Sequence, residues 1–447
     1  MGNGNRIIVN METTRLVGKT IACECGKTHR IDPREVLYAE DAVARFPALC
    51  AKYCAGRRVA VVFDARTREA AGDAIVRSLR GEGWTVHEVL VADPAEGTSP
   101  ICDEATQKRV AADIGLADLI VSVGSGVISD LGKWTAFERN LPAIPFGTAA
   151  SMNGYAAANV ASAKDGVKIV VRARPPVAVA SSPTVLRSAP QELTTSGLGD
   201  ALAKGVSSAD WRLNHVLFGD YYCARSVGLI ADIEPLYLNN PRGVRDGGAK
   251  ALEALFDALL LTGIAMTMAE SSDPASGAEH LISHTLDMTA MARGTEHDLH
   301  GRQVGVCTIL ASELYRRVLD VESPRFGPPA GPVDRDYWGP IADACSRLYV
   351  QKAQRMEAAV RTLGQGDAWD RLRRELAPML RPPMVLRDCL RQADGAYRAG
   401  DIGCSHERLT DALLHAHQMR GRVTVLDLAY RMGILPAAAG EIVEEWA

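Results

Sequence analysis

Between residues 57 and 150 the chain alternates two repeats, and that alternation constrains its fold more than any other feature. The runs RRVAVVFD (57–64), TVHEVLV (85–91), ADLIVSVG (117–124) and LPAIPFGT (141–148) are apolar, short and rich in β-branched residues, which marks buried strands. Between them, TREAAGDAIVRSLRGEG (67–83), CDEATQKRVAADIG (102–115) and SDLGKWTAFERN (129–140) place apolar residues at helical spacing. Strands separated by helices pair in parallel through crossovers, so this part predicts a parallel sheet covered by helices.

After about residue 187 the alternation stops. Apolar-periodic stretches follow one another from 190–211 and 215–233 through 246–270, 276–292 and 301–320 to 423–431. The expectation is an α/β N-terminal Rossmann-like unit over residues 1–187 and an all-α unit over residues 188–447, since 447 residues exceed one ordinary core. VESPRFGPPAGPVDRDY (321–337), rich in Pro and Gly, reads as an exposed inter-helix loop.

A net charge of −4 without a basic stripe, and only 5% aromatic residues, argue against nucleic acid as a partner. The start MGNGNRIIVNMETTR has no apolar leader core, and Arg6 stands where myristoylation wants Ser or Thr. The run ALLLTGIAMTMA (258–269) is too short to span a bilayer. Ten scattered cysteines then read as reduced thiols, and the expectation is a cytoplasmic protein without a membrane partner. CECGKTH (23–29) has two thiols and one His with no partner cluster elsewhere, and reads as a strand-pair feature rather than a zinc motif.

In LIVSVGSGVISDLGKW, Gly124, Ser125 and Gly126 lie between a strand and a helix expected to begin near Ser129. Glycines there admit a phosphate, which the helix N-terminus attracts; an ordinary strand-to-helix turn has the same letters. Asp64 ends the first strand of the unit, where it suits an adenosine ribose or a helix cap. SGAEHLISHTLDMTAMARGTEHDLHG (276–301) holds four of the ten histidines. His280 and His284, four apart, share a helix face, and His300 opens the next helical pattern. With Asp200, which shares a face with Lys204 in SGLGDALAK, they compose a possible divalent-metal set; each residue taken singly also fits a structural role. His297 reads as a solvated loop residue.

Together the segments CECGKTH, VFDARTREAAG, SVGSGVISDLGK, FGTAASMNGYAAANVA, SGLGDALAK, SGAEHLISH, HGRQVGVCTI and RGRVTVLDLAYRMGIL resemble, in order and spacing, the glycerol-1-phosphate dehydrogenase branch of the iron-containing alcohol dehydrogenase and dehydroquinate synthase superfamily. The resemblance covers most of residues 20 to 435. It implies a Rossmann-like NAD(H) domain, a helical metal domain, and substrate in the cleft between them. It further implies metal ligands Asp200, His280 and His300, with His284 facing substrate as a hydrogen-bond or proton-relay group. Gly124, Ser125, Gly126, Val127 and Ile128 would line the pyrophosphate, Thr148 and Ser151 would contact the cofactor, and Asp64 would favour NAD over NADP.

Three positions depart from the family pattern: Asn153 replaces an Asp, Arg302 a Glu, and Ala157 a Ser. Lys204 stands where iron-dependent relatives carry a fourth ligand, which favours Zn²⁺ or Ni²⁺ over Fe²⁺. The implied reaction is reversible reduction of dihydroxyacetone phosphate, with Asn153 partnering the free hydroxyl and Lys204 and Arg302 as phosphate cations. Asp200 and His284 would be the catalytic pair, and the assembly a homodimer or larger homo-oligomer. Another phosphorylated, phosphonate or polyol substrate, or a non-catalytic NAD-binding regulator, are the alternatives.

Overall fold

The computed structural model describes residues 12–95, 98–164, 167–329 and 331–447. The start MGNGNRIIVNM, on which the reading of a missing leader rests, lies outside the described residues. Two strands, β1 (Thr20–Ala22) and β2 (Thr28–Arg30), form an antiparallel hairpin. Next come β3 (Glu35–Tyr38), β4 (Arg58–Phe63), β5 (Thr85–Leu90), β6 (Leu119–Gly124) and β7 (Ala143–Gly147). A second hairpin pairs β8 (Asn159–Lys164) with β9 (Val167–Arg172), and β10 (Ala178–Ser181) completes the strands.

Six strands build one parallel sheet in the order β3-β10-β7-β6-β4-β5. Strands β6 and β7 are buried along their whole length, as a parallel sheet covered on both faces requires. The chain runs outward from β4 to β5, then crosses back to β6. The winding direction therefore reverses between β4 and β6, and the carboxyl ends of those strands flank the crevice where ligands of such sheets bind. Those ends carry Asp64 and Gly124.

Strands β3 and β10 and the hairpin β8–β9 carry only weak local signals and were not expected. β3 and β10 exist as strands because they pair with each other, 143 residues apart in sequence. The helix after β6, α1 (Gly126–Glu138), starts three residues before Ser129, so its first turn directly abuts the glycine pair.

From Pro183 on, the described residues are helices and loops. The stretch 190–211 divides at Ala203 into α2 (Gln191–Leu202) and α3 (Lys204–Phe218). Further on come α4 (Ala249–Ala269), α5 (Ala278–Arg293) and α6 (His300–Leu319). Helix α4 is long and apolar enough to cross a membrane, but it is a core helix here: Leu255, Phe256, Leu259, Leu260 and Leu261 are wholly buried against other elements.

Two contacts position the functional helices. The Asp210 carboxylate, on α3, accepts hydrogen bonds from the Ala278 amide at 2.7 Å, the Val425 amide at 2.9 Å and the Tyr315 hydroxyl at 2.5 Å. It thereby satisfies an orphan N–H at the start of α5 and ties that helix to α3 and α6. Second, α2 and α6 meet backbone to backbone. A methyl group at Gly199 would overlap the Gly301 carbonyl, and one at Gly301 would overlap the Ser196 carbonyl. Only glycine admits this approach.

The segment CECGKTH is the strand pair expected, but the expectation that it has no partner fails. Gly219, at φ 69°, ends α3 in the left-handed conformation, and the chain turns so that Cys223 lies 3.7 Å, sulphur to sulphur, from Cys23.

Gly301→Ala is expected to cost about 1–3 kcal/mol through overpacking, read as a lowered midpoint in denaturant unfolding. An unchanged midpoint would mean that α2 and α6 do not touch at this point.

Candidate metal and cofactor site

Asp200 lies in the last turn of α2, His280 in the first turn of α5, and His300 opens α6. The α2–α6 contact at Gly199 and Gly301 sits one residue from Asp200 and one from His300, so it brings those two together. The Asp200 Oδ1 lies 3.9 Å from His280 Nε2 and 4.0 Å from His300 Nε2, too far for hydrogen bonds. One donor atom from each of the three lies within 4.8 Å of the others. Asp200 Oδ1 is buried with no hydrogen-bond partner, the state expected of an oxygen that serves a cation. Its neighbour is the backbone amide of Asn153, which donates to the same carboxylate.

The two histidine donors are neutral, and His280 is in the tautomer that a metal requires. Burial pushes both His280 and His300 down to about 3, so both are neutral with free lone pairs. His280 Nδ1 lies 2.7 Å from Glu279 Oε1, which also accepts from the Gly277 amide at 2.7 Å. This bond places the ring proton on Nδ1 and leaves Nε2 facing Asp200. Burial also pushes Asp200 up to about 7, a cost that a bound cation would offset. The residues present therefore fit a divalent metal.

His284 lies one turn after His280, with its ring stacked on His300 at a centroid separation of 5.3 Å. Its Nδ1 is 3.1 Å from Arg420 Nη2. Arginine only donates, so Nδ1 accepts and the proton of neutral His284 sits on Nε2. Burial and the charge of Arg420 hold His284 well below the usual histidine range.

Arg420 and Lys168 are the cations whose charges bear on His284 and His300. Lys168, on β9, is anchored by Asp287 at 3.2 Å. The two cations expected here face elsewhere. Lys204 Nζ donates to the Pro274 carbonyl at 2.6 Å, and burial pushes it down to about 7. Arg302 pairs with Asp298 at 2.8 Å and donates to the Asp401 carbonyl at 2.5 Å. Glu279, Arg420, Lys168 and Asp287 were not singled out in the sequence. Glu279 sits beside His280, an adjacency that could have flagged it; the others have no local signal. His297, half-exposed, lies 3.4 Å from Asp287 on the loop before α6.

At the sheet, Gly124 and Gly147 are register partners at the ends of β6 and β7. Gly126 opens α1 facing open space, where a phosphate can approach the amides of Gly126, Val127 and Ile128; Ser125, just before this helix, makes no side-chain capping bond. The segment 148–153 then bridges the two halves of the site. The Thr148 amide donates to the Gly124 carbonyl at 3.2 Å, the Ser151 carbonyl accepts from the Ser196 hydroxyl at 3.4 Å, and Asn153 reaches Asp200. Asp64 caps the short helix Ala65–Thr67 through the Thr67 amide at 2.8 Å, while its other oxygen lies 3.3 Å from Arg66. Ala157 is wholly buried.

Solved structures share this fold over nearly the whole chain. A probable glycerol dehydrogenase from Sinorhizobium meliloti superposes with a TM-score of 0.59 at 16% identity, covering 92% of this chain and 98% of that one. Glycerol dehydrogenase from Schizosaccharomyces pombe superposes with a TM-score of 0.57 at 17% identity, covering 92% and 91%. The fold is thus that of the alcohol and glycerol dehydrogenases with a parallel sheet joined to a helical half. The sequence profile of the iron-containing alcohol dehydrogenases matches residues 37–190. A glycerol-1-phosphate dehydrogenase [NAD(P)+] from Thermococcus kodakarensis is 34% identical over 63% of this chain and 78% of its own length. One from Bacillus licheniformis is 28% identical over 95% of this chain and 96% of its own. The chain belongs to the iron-containing alcohol dehydrogenase family, in its glycerol-1-phosphate dehydrogenase branch.

Asp200→Ala, His280→Ala and His300→Ala are each expected to lose one equivalent of bound metal by elemental analysis while staying folded, and His297→Ala to retain it. Glu279→Gln should weaken metal affinity by about ten- to a hundred-fold. Retention of metal by His300→Ala with loss in His297→Ala would reassign the third ligand.

Proposed function

We propose that this chain catalyses the reversible NAD(P)(H)-dependent reduction of dihydroxyacetone phosphate to sn-glycerol 1-phosphate, with a divalent metal held by Asp200, His280 and His300. The names of its relatives support the reaction. The observation that carries it is the meeting of those three donors with His284 and with two cations, Lys168 and Arg420, in one site.

When bound, the metal supplies Lewis acidity to a substrate oxygen and the nicotinamide supplies the hydride. The chain's residues do the rest. The amides of Gly126 to Ile128 hold the pyrophosphate, and the segment 148–153 fixes the cofactor end of the site relative to Asp200. Asn153 spends its backbone amide on Asp200, and its side chain partners the free hydroxyl. His284 presents Nε2–H as a hydrogen-bond donor to the substrate oxygen, because Arg420 occupies its other nitrogen. Lys168 and Arg420 receive the phosphate, in place of Lys204 and Arg302. Three protein donors, with Lys204 turned to Pro274, favour Zn²⁺ or Ni²⁺ over Fe²⁺. None of the ten cysteines is paired in a disulfide, which supports a reducing, cytoplasmic setting.

Asp64 disfavours a 2′-phosphate by like charge, but the Arg66 guanidinium beside it tempers the repulsion. NADH should therefore be preferred over NADPH by about tenfold in kcat/KM, roughly 1.4 kcal/mol, and Asp64→Gly should narrow the gap. Equal values in the unaltered protein would remove this role from Asp64.

The deciding experiment follows NADH absorbance over a substrate panel, using metal-stripped protein reconstituted with Zn²⁺, Ni²⁺ or Fe²⁺. Dihydroxyacetone phosphate should be turned over faster than dihydroxyacetone. Lys168→Ala should raise KM for the phosphorylated ketone alone, by about ten- to a hundred-fold if one charge-assisted contact of about 1.5–3 kcal/mol is lost. Lys204→Ala should not discriminate between the two ketones. No turnover of either ketone with any metal would overturn the assignment and favour another polyol or a non-catalytic NAD-binding role.

A further inference from the structure

A second constellation of metal-ligand side chains lies outside this site. Cys23, Cys25 and His29 come from the β1–β2 hairpin, and Cys223 comes from the turn after α3. One donor atom from each lies within 4.8 Å of the other three. Cys23 Sγ is 3.7 Å from Cys223 Sγ, Cys223 Sγ is 3.6 Å from His29 Nε2, and Cys25 Sγ is 3.2 Å from His29 Nε2. With Zn–S about 2.3 Å and Zn–N about 2.0–2.1 Å, a tetrahedral site has S···S edges of about 3.8 Å and S···N edges of about 3.6 Å. Two of the three separations match those edges, and the third is shorter.

The surroundings are those of a thiolate site. The Ser226 amide donates to Cys223 Sγ at 3.4 Å, the Lys27 amide donates to Cys25 Sγ, and the Tyr221 hydroxyl lies 3.3 Å from the same sulphur. Such donors outside the ligand set hold and orient metal-bound thiolates. Gly26, at φ 85°, makes the tight turn that points Cys23, Cys25 and His29 to one side. His29 and Cys223 are buried, at 4% and 0% exposure, and Cys23 and Cys25 close the outer side. The hairpin has only three residues in each strand, and a two-stranded ribbon that short is marginal without a further tie.

We propose that Cys23, Cys25, His29 and Cys223 bind a structural Zn²⁺ ion that fastens the amino-terminal hairpin to the helical half of the protein. Four protein donors close the coordination sphere, so the ion takes no part in the reaction, and soft thiolates with one imidazole select zinc. The proposal is independent of the catalytic reading, because the test uses protein whose other metal site has been removed.

The full-length Asp200→Ala/His280→Ala variant, expressed with zinc, should retain one equivalent of zinc by elemental analysis. Adding Cys223→Ser should remove it and lower the Tm. Because that variant could fail to fold, two measurements need no cysteine substitution. In the double variant, Co²⁺ exchange should give thiolate-to-cobalt charge-transfer absorption. Peptide mapping should show Cys23, Cys25 and Cys223 protected from alkylation until a chelator is added. A zinc-free double variant with these thiols freely alkylated, or a Cys23–Cys223 disulfide in the peptide map, would overturn the proposal.

Discussion

The backbone contact between α2 and α6 is the constraint on which the candidate site rests. Gly199 and Gly301 let two helices approach until side chains have no room between them. Asp200 directly follows Gly199 and His300 directly precedes Gly301, so the packing and the donor set are one feature. A larger residue at either glycine would push apart the helices that carry Asp200 and His300. The third helix, α5, is held by a different device, the Asp210 carboxylate at its N-terminus. The spacing of these candidate donors is thus set by helix packing rather than by loops, which gives it the stiffness that a metal site requires.

Burial then sets the electrostatics. A carboxylate pushed up to about 7 and two imidazoles pushed down to about 3 are costly when left alone, and they become compatible once a cation lies between them. The neighbours complete the arrangement. Glu279 selects the tautomer of His280, and Arg420 selects that of His284. Two histidines one helical turn apart therefore differ in what they present to the site. His280 offers a lone pair and His284 offers a proton. The carboxylates and guanidiniums beside the rings make that difference; the rings themselves are alike.

Much of this was legible in the chain because it is written in local pattern. Strand–helix alternation marks the parallel sheet, the Gly-Ser-Gly turn marks its cofactor edge, and the resemblance to known dehydrogenases ties Asp200, His280 and His300 together over a hundred residues. The errors came where side chains had to be assigned partners by nearness in sequence. Lys204 and Arg302 are close to ligands along the chain, yet the helix break at Ala203 turns one toward Pro274 and Asp298 captures the other. Lys168 and Arg420 are distant along the chain and close in space. Cys223 lies 194 residues from His29, and nothing near it in sequence marks it as that residue's neighbour.

By itself the sequence determined the two structural textures and the position of the Gly-Ser-Gly turn, since these depend on residue type and on repeats of two or 3.6 residues, while the proposed donor set came from the resemblance to known dehydrogenases. The tertiary structure alone decided which cations face the site, which nitrogen of His280 and of His284 is free, and that Cys223 closes on CECGKTH. Those depend on contacts between segments far apart in the chain. Such contacts are set by whole-helix packing and by burial, and neither leaves a local pattern.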